Sequence, residues 1–208
     1  MTKSVGGLVL AAGMSARMKK FKPLLPLGGK VMIQQTVESL LQAEIKDIVV
    51  VLGKNAAQIK EALAGYDICY ATNADYETTD MLKSIQIGLA LCREKEALFV
   101  LPADMPLVRA ETLKAMVKRF SEKEISVLYP TYQGKRGHPP LIAKKCFAMI
   151  EGYRADGGLR AVLAEIESEA DEIETSDIGC VLDADYEQDY VRLQEVLQLR
   201  QRQESNDE

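Results

Sequence analysis

Much of what directs the reading of this 208-residue chain is missing from it. No apolar run approaches the roughly 20 residues that a membrane-spanning helix needs, so no membrane partner is expected. Met1 to Ser4 run straight into the first apolar segment, which leaves no room for a secretory leader and points to a cytoplasmic location. Basic residues are not in excess: the formal net charge is −5. No basic excess is therefore available to neutralise a run of phosphates, and no nucleic-acid partner is expected. Histidine occurs once, at His138, with no other metal-ligand types clustered around it, so it makes no zinc site. The four cysteines, Cys69, Cys92, Cys146 and Cys180, lie far apart with neither metal nor redox spacing, which indicates reduced, partly buried thiols. Two common phosphate motifs are missing as well: the Gly-Lys-Ser/Thr ending of a P-loop and the Gly-x-Gly-x-x-Gly of a dinucleotide fold. There is no internal repeat, low-complexity tract or linker.

What is present describes one α/β domain. Hydrophobic content of 47% and charged content of 27% are ordinary for a globular chain long enough to bury a sizeable core. Segments 5–10, 48–52, 97–101 and 125–129 are short apolar runs that read as buried strands. Between them apolar residues recur at helical spacing: Ile33, Val37, Leu40 and Leu41, then Met81, Ile85 and Leu89, then Leu113, Met116, Val117 and Phe120, then Leu159, Val162, Leu163 and Ile166. Such alternation predicts a mainly parallel sheet with helices on both faces. Residues 130–142 break the rhythm with Pro130, Gly134, Gly137, Pro139 and Pro140, which predicts an antiparallel insertion or a substrate loop. Residues 186–203 read as a terminal helix closing a single domain over 1–203, and 204–208 as a polar tail.

Four segments carry chemistry. After the first strand come Leu10, Ala11, Ala12, Gly13, Met14, Ser15, Ala16 and Arg17, with Lys22 close behind. A strand that breaks into small residues can aim backbone N–H groups at an anion, and Arg17 and Lys22 add a fork of donors and a point charge. That combination suits a nucleoside triphosphate. Asp104 follows the strand at 97–101 and so falls on the same sheet edge, where a carboxylate can hold Mg²⁺ against phosphate oxygens. Arg136, Gly137 and His138 occupy a rigid loop framed by Gly134, Pro139 and Pro140, either a shaped ligand loop or a surface turn. Finally Asp183, Asp185 and Asp189 precede or open the last helix. Asp185 or Asp189 reads as its cap, and Asp183 as a second candidate metal ligand.

Taken in order, these segments resemble the molybdenum cofactor cytidylyltransferase group of the MobA-like NTP-transferases. That family opens with Leu-Ala-Ala-Gly-x-Ser-x-Arg-Met-Gly-x-x-Lys, matched by Leu10 to Gly13, Ser15, Arg17, Met18 and Lys22. Asp104 to Pro106, Gly137 to Pro139, Asp156 to Arg160 and the spacing of Asp183, Asp185 and Asp189 match its later motifs. Two places depart: Lys19 stands where the family has Gly, and Asp80 and Lys83 replace small residues in a Gly-Met-x-Ser-Ser stretch.

The resemblance implies a single-domain, Rossmann-like nucleotidyltransferase fold of GT-A type. It implies transfer of CMP from CTP to the phosphate of molybdopterin, with Mg²⁺ as cofactor and pyrophosphate as leaving group. Arg17, Lys22 and Asp104 would be catalytic. Leu10, Ala11, Ala12, Gly13, Ser15, Arg17, Lys22, Asn73 and Ser84 would bind nucleotide. Asp104 and Asp183 would hold the metal, and Arg136, Gly137 and His138 the acceptor. A molybdenum hydroxylase apoenzyme is the expected protein partner, and the chain a monomer or weak homodimer. The alternatives are another NTP, another phosphorylated acceptor such as a sugar phosphate, or a non-catalytic cofactor carrier.

Overall fold

The computed structural model describes residues 3–13, 18 and 20–205. In chain order its elements are β1 (Val5–Ala11), β2 (Pro26–Leu27), β3 (Lys30–Val31), α1 (Met32–Gln42), β4 (Ile48–Leu52), α2 (Ala56–Ala62), β5 (Cys69–Thr72), α3 (Met81–Leu89), β6 (Ala97–Pro102), α4 (Ala110–Glu122), β7 (Val127–Tyr132), β8 (Lys135–Arg136), β9 (Leu141–Ala143), α5 (Phe147–Gly152), α6 (Gly158–Ala164), β10 (Ala170–Glu174) and α7 (Glu187–Glu204).

One sheet has the order β10-β7-β9-β6-β1-β4-β5, with β8 on the flank of β7. β1 pairs parallel with both β4 and β6, and β4 pairs parallel with β5. β9 runs antiparallel between β6 and β7, and β8 antiparallel on β7. The 130–142 break is therefore an antiparallel insertion. β4 and β6 are buried along their whole length, as strands covered on both faces must be.

Successive side chains of a strand point to opposite faces. At β1 the Gly7 position packs against Leu40 of α1, and Leu8 packs against Gly88 of α3. α1 and α3 therefore cover opposite faces of the sheet. A Cβ at Gly88 would stand 2.3 Å from Leu8, so α3 sits this close only because that residue is glycine.

Three details differ from the sequence reading. The α3 stripe is Leu82, Ile85 and Leu89; Met81 opens the helix and is 51% exposed. The strand read at 125–129 runs over Val127–Tyr132. β5 and β10, the two sheet edges, are unmarked by apolar runs because only one of their nine residues, Ala71, is buried.

A smaller apolar cluster seats the last helix. Leu27, Met32, Leu107, Leu182, Ala184 and Leu193 are buried together. Leu182 and Ala184 point into this cluster, so Asp183 and Asp185, which alternate with them, turn the other way. Behind it Arg200 of α7 donates to Asp177 at 2.7 Å and to the Leu107 carbonyl at 2.7 Å. Asp177 also accepts from the Arg109 backbone, the Thr112 hydroxyl and the Gly179 backbone. This network fixes the segment that leads to the aspartates.

Candidate active site

The carboxyl ends of β1 and β6 lie side by side, tied by a hydrogen bond from Ala103 N–H to the Leu10 carbonyl at 3.0 Å. Ligand sites of open parallel sheets form at this edge. Leu10, Ala11 and Ala12 are buried at the end of β1, and Gly13 is exposed beyond them. Ser15 and Arg17, expected in the phosphate loop, lie outside the described residues.

Lys22 opens a single 3-10 turn, with Pro23 setting its backbone. Its side chain is only 9% exposed, and its ammonium lies 3.1 Å from Asp104 and 2.7 Å from Asp185. A lysine this enclosed needs paired charge, and the two carboxylates supply it. Asp104 follows β6, and its carbonyl accepts from Ala184 N–H at 3.1 Å, which brings the 183–185 segment alongside. Asp185 is thus not the helix cap. Tyr186 is the N-cap, and Asp189, at the third position of α7, accepts from its N–H at 2.8 Å to close a capping box. The Lys22–Asp185 pair escaped the sequence reading, and the spacing of Asp183, Asp185 and Asp189 was its only signal.

Gly137 N–H donates to the Pro130 carbonyl and His138 N–H to the Cys180 carbonyl, at 2.8 and 2.7 Å. A Cβ at Gly137 would fall 2.3 Å from the Cys180 oxygen, so only glycine permits this docking. It carries His138, on a cis His138–Pro139 peptide, towards Asp104 and Asp183. His138 is exposed; partial desolvation draws its pKa down from the ordinary imidazole value, and Asp104 and Asp183 oppose that shift. The Asp183 pKa is drawn upward from its ordinary value by partial desolvation and by Asp104 and Asp189, against the pull of Lys22 and His138. Asp104, Asp183, Lys22 and His138 thus share one electrostatic neighbourhood.

Arg136 and Asn73 lie in surroundings of their own. Arg136 does not join His138. Its guanidinium pairs with Glu167 at 2.6 Å and with Glu172, and lies over the Tyr129 ring at 4.7 Å. β8 ends at Arg136, and Gly137 carries the chain off the sheet before His138. Asn73 stands behind the residues that line the cleft described below. It is 1% exposed, and its amide nitrogen donates to Thr79 and Ser84 at 2.9 and 3.1 Å while its oxygen accepts from Asp75 N–H. With donors and acceptor all engaged, Asn73 braces the β5–α3 loop. Ser84 is buried beneath the same wall.

These elements enclose a cleft of about 200 Å³ lined by Leu10, Ala11, Ala12 and Gly13 after β1, with Asp104, which follows β6, and its partner Lys22 to one side of them, and Thr79, Asp80 and Ser84, which follow β5 two strands away, to the other. Among the described residues no three His, Cys, Asp or Glu side chains form a ready metal cage. Asp104 with one neighbouring aspartate does suit Mg²⁺, which takes one or two carboxylates and fills its remaining positions with water and phosphate oxygens.

An open, mainly parallel sheet with β8 and β9 reversed, and an enclosed lysine between carboxylates at its ligand edge, define the α/β nucleotidyltransferase class. The chain belongs to the MobA-like NTP transferase family, whose model matches residues 7–172. Among curated proteins it is similar to the bifunctional protein GlmU of Cellvibrio japonicus, 29% identical over 145 residues, which cover 69% of this chain and 32% of that one. The chain spans about a third of the length of that relative. Among solved structures it is similar to a nucleotidyl transferase from Methanothermobacter thermautotroptrophicus, with a TM-score of 0.81 at 23% identity, covering 95% of this chain and 99% of that one. Rv0371c from Mycobacterium tuberculosis H37Rv gives a TM-score of 0.80 at 24% identity, covering 94% and 100%, and that protein is also solved with manganese. Molybdopterin-guanine dinucleotide biosynthesis protein A from Archaeoglobus fulgidus gives 0.65 at 17% identity, covering 92% and 97%. At these identities the structural likeness shows the fold. Among the described residues no helix is long and apolar enough to cross a membrane.

Proposed function

We propose that this protein transfers CMP from CTP to the phosphate of molybdopterin and releases pyrophosphate, with Mg²⁺ as its cofactor. The observation that carries this reading is the Lys22 ammonium held between Asp104 and Asp185 at the end of a cleft walled by Leu10 to Gly13. An acceptor phosphate is already charged, so no general base is needed. Its oxygen attacks the α-phosphorus of CTP, a new P–O bond forms, and the α–β bridging bond breaks with its electron pair leaving on pyrophosphate. Positioning and charge stabilisation supply the rate. The backbone amides of Ala12 and Gly13, together with Ser15, Arg17 and Lys22, would hold the β- and γ-phosphates. His138 and Gly137 would border the acceptor.

Mg²⁺ supplies charge neutralisation at the phosphates when bound. Asp104 and a flanking aspartate would hold it, and the shared contact with Lys22 favours Asp185 over Asp183 for that place. The lean to CTP rests on Ala12, whose methyl group narrows the wall where a smaller residue would widen it. Molybdopterin as acceptor rests on the resemblance of the Gly137–Pro139 element, and on the Archaeoglobus neighbour named for molybdopterin-guanine dinucleotide biosynthesis. The chain would act in the cytoplasm and pass its product to a molybdenum hydroxylase apoenzyme.

The test is pyrophosphate release from CTP, GTP, ATP and UTP with Mg²⁺, each alone, with molybdopterin and with a sugar phosphate. Release from CTP that depends on molybdopterin supports the proposal. Release only with a sugar phosphate overturns the acceptor, and release from another NTP overturns the base. Nucleotide binding with no release under any pairing turns the reading to a non-catalytic carrier.

A further inference from the structure

The two ends of the cleft differ chemically. Lys22 and Asp104 mark the end suited to phosphate. At the other end the wall is polar but largely self-satisfied: Asn73 donates to Thr79 and Ser84, and the Thr79 hydroxyl donates to the Asp75 carbonyl at 2.8 Å. Asp80 is the exception. It caps α3, its Oδ1 accepting from Lys83 N–H at 3.1 Å. A capping carboxylate offsets the positive end of the helix, so this end of the cleft does not attract phosphate. Its Oδ2 has no hydrogen-bond partner among the described residues. On its flank stands Gly158, where a Cβ would come within 3.6 Å of that oxygen, so the absent side chain leaves it uncovered.

A nucleotide with its phosphates at Lys22 directs its nucleoside towards Asp80. An ionised carboxylate accepts hydrogen bonds and donates none. Cytosine presents an amine at its 4-position where uracil presents a carbonyl. Resting on the nucleotide reading above, we propose that Asp80 selects the base: its Oδ2 accepts from the 4-amine of cytosine, and its charge rejects uracil by facing the 4-carbonyl with no proton between them.

The experiment is calorimetric binding of CTP and of UTP, each with Mg²⁺, to the full chain and to Asp80→Asn. Asparagine caps a helix as well as aspartate does, so the variant keeps α3, which a thermal melt checks. The unaltered chain is expected to favour CTP over UTP by roughly tenfold or more. In Asp80→Asn the amide can rotate to donate, and the ratio is expected to fall to within about threefold, mainly through tighter UTP binding. An unchanged ratio in the variant overturns the inference. So does equal weakening of both nucleotides, which would assign Asp80 to the ribose. Binding of neither nucleotide by the unaltered chain overturns the nucleotide reading itself, and this inference with it.

Discussion

The Lys22 ammonium and the Asp185 carboxylate, 163 positions apart in the chain, meet at 2.7 Å. Together with Asp104 they form a charged knot in a setting where the lysine is almost fully enclosed. An incoming triphosphate would have to compete with these carboxylates for the ammonium, and a divalent cation would replace the ammonium on the carboxylates. Lys22→Ala is expected to lower kcat/KM by about 10²- to 10³-fold, the scale of losing one preorganised charge donor. Lys118→Ala, on the exposed face of α4, should stay within about twofold. Steady-state pyrophosphate release on both variants checks this, and equal effects would demote Lys22 to a structural cation.

The three aspartates of the 183–189 segment should separate by role. Asp185→Asn and Asp104→Asn are each expected to raise the Mg²⁺ concentration needed for half-maximal turnover and to cut turnover by about 10²-fold or more. Asp189→Ala opens the capping box, so about 1 kcal/mol of stability should go while turnover stays close to the unaltered value. Magnesium titrations of the variants, with Asp183→Asn alongside, read which aspartate partners Asp104. A larger Mg²⁺ shift in Asp183→Asn than in Asp185→Asn would reverse the assignment.

Arg200 and Asp177 form a buried pair, with side chains 14% and 2% exposed. Burial lowers the Arg200 pKa, and Asp177 opposes that shift. Arg200→Met would leave Asp177 charged and short of a partner, at an expected cost of about 3–5 kcal/mol in urea unfolding. A loss under about 1 kcal/mol would mean that water reaches Asp177 once the arginine is gone.

His138 is the only histidine, so its imidazole titration can be followed without overlap by NMR. Partial desolvation lowers its midpoint from the ordinary imidazole value, while Asp104 and Asp183 pull it upward. Removing either carboxylate, as in Asp104→Asn or Asp183→Asn, should therefore move the midpoint further down. The linkage has a definite sign. A histidine with a depressed folded pKa takes up its proton more readily when unfolded, so its contribution is fully present above the unfolded value and is lost as pH falls below it. His138→Gln should accordingly narrow its stability gap to the unaltered chain between neutral pH and pH 5. An upward midpoint shift in the aspartate variants would place His138 away from them.

Local chemistry made the centre of the sheet legible. The β-branched run at 48–52 and the apolar run at 97–101 became β4 and β6 because strands buried on both faces need continuous apolar sequence. Edge strands have no such need, and β5 and β10 left no comparable trace. Neighbourhood in sequence does not carry into space at Arg136, two positions from His138. The chain leaves the sheet at Gly137 and docks on Cys180, so the two side chains serve different surroundings.

The sequence by itself determined the α/β class, the parallel core and the placing of Lys22 and Asp104 after apolar segments, because periodicity and small-residue breaks are local properties. Only the tertiary structure decided which acid meets Lys22, that Asn73 is a brace and that Asp80 faces the cleft. Those outcomes depend on the burial of Leu182 and Ala184 against the α7 cluster, and on which hydrogen bonds remain once the backbone has closed. Long-range pairing of that kind follows from packing, which no single stretch of the chain encodes.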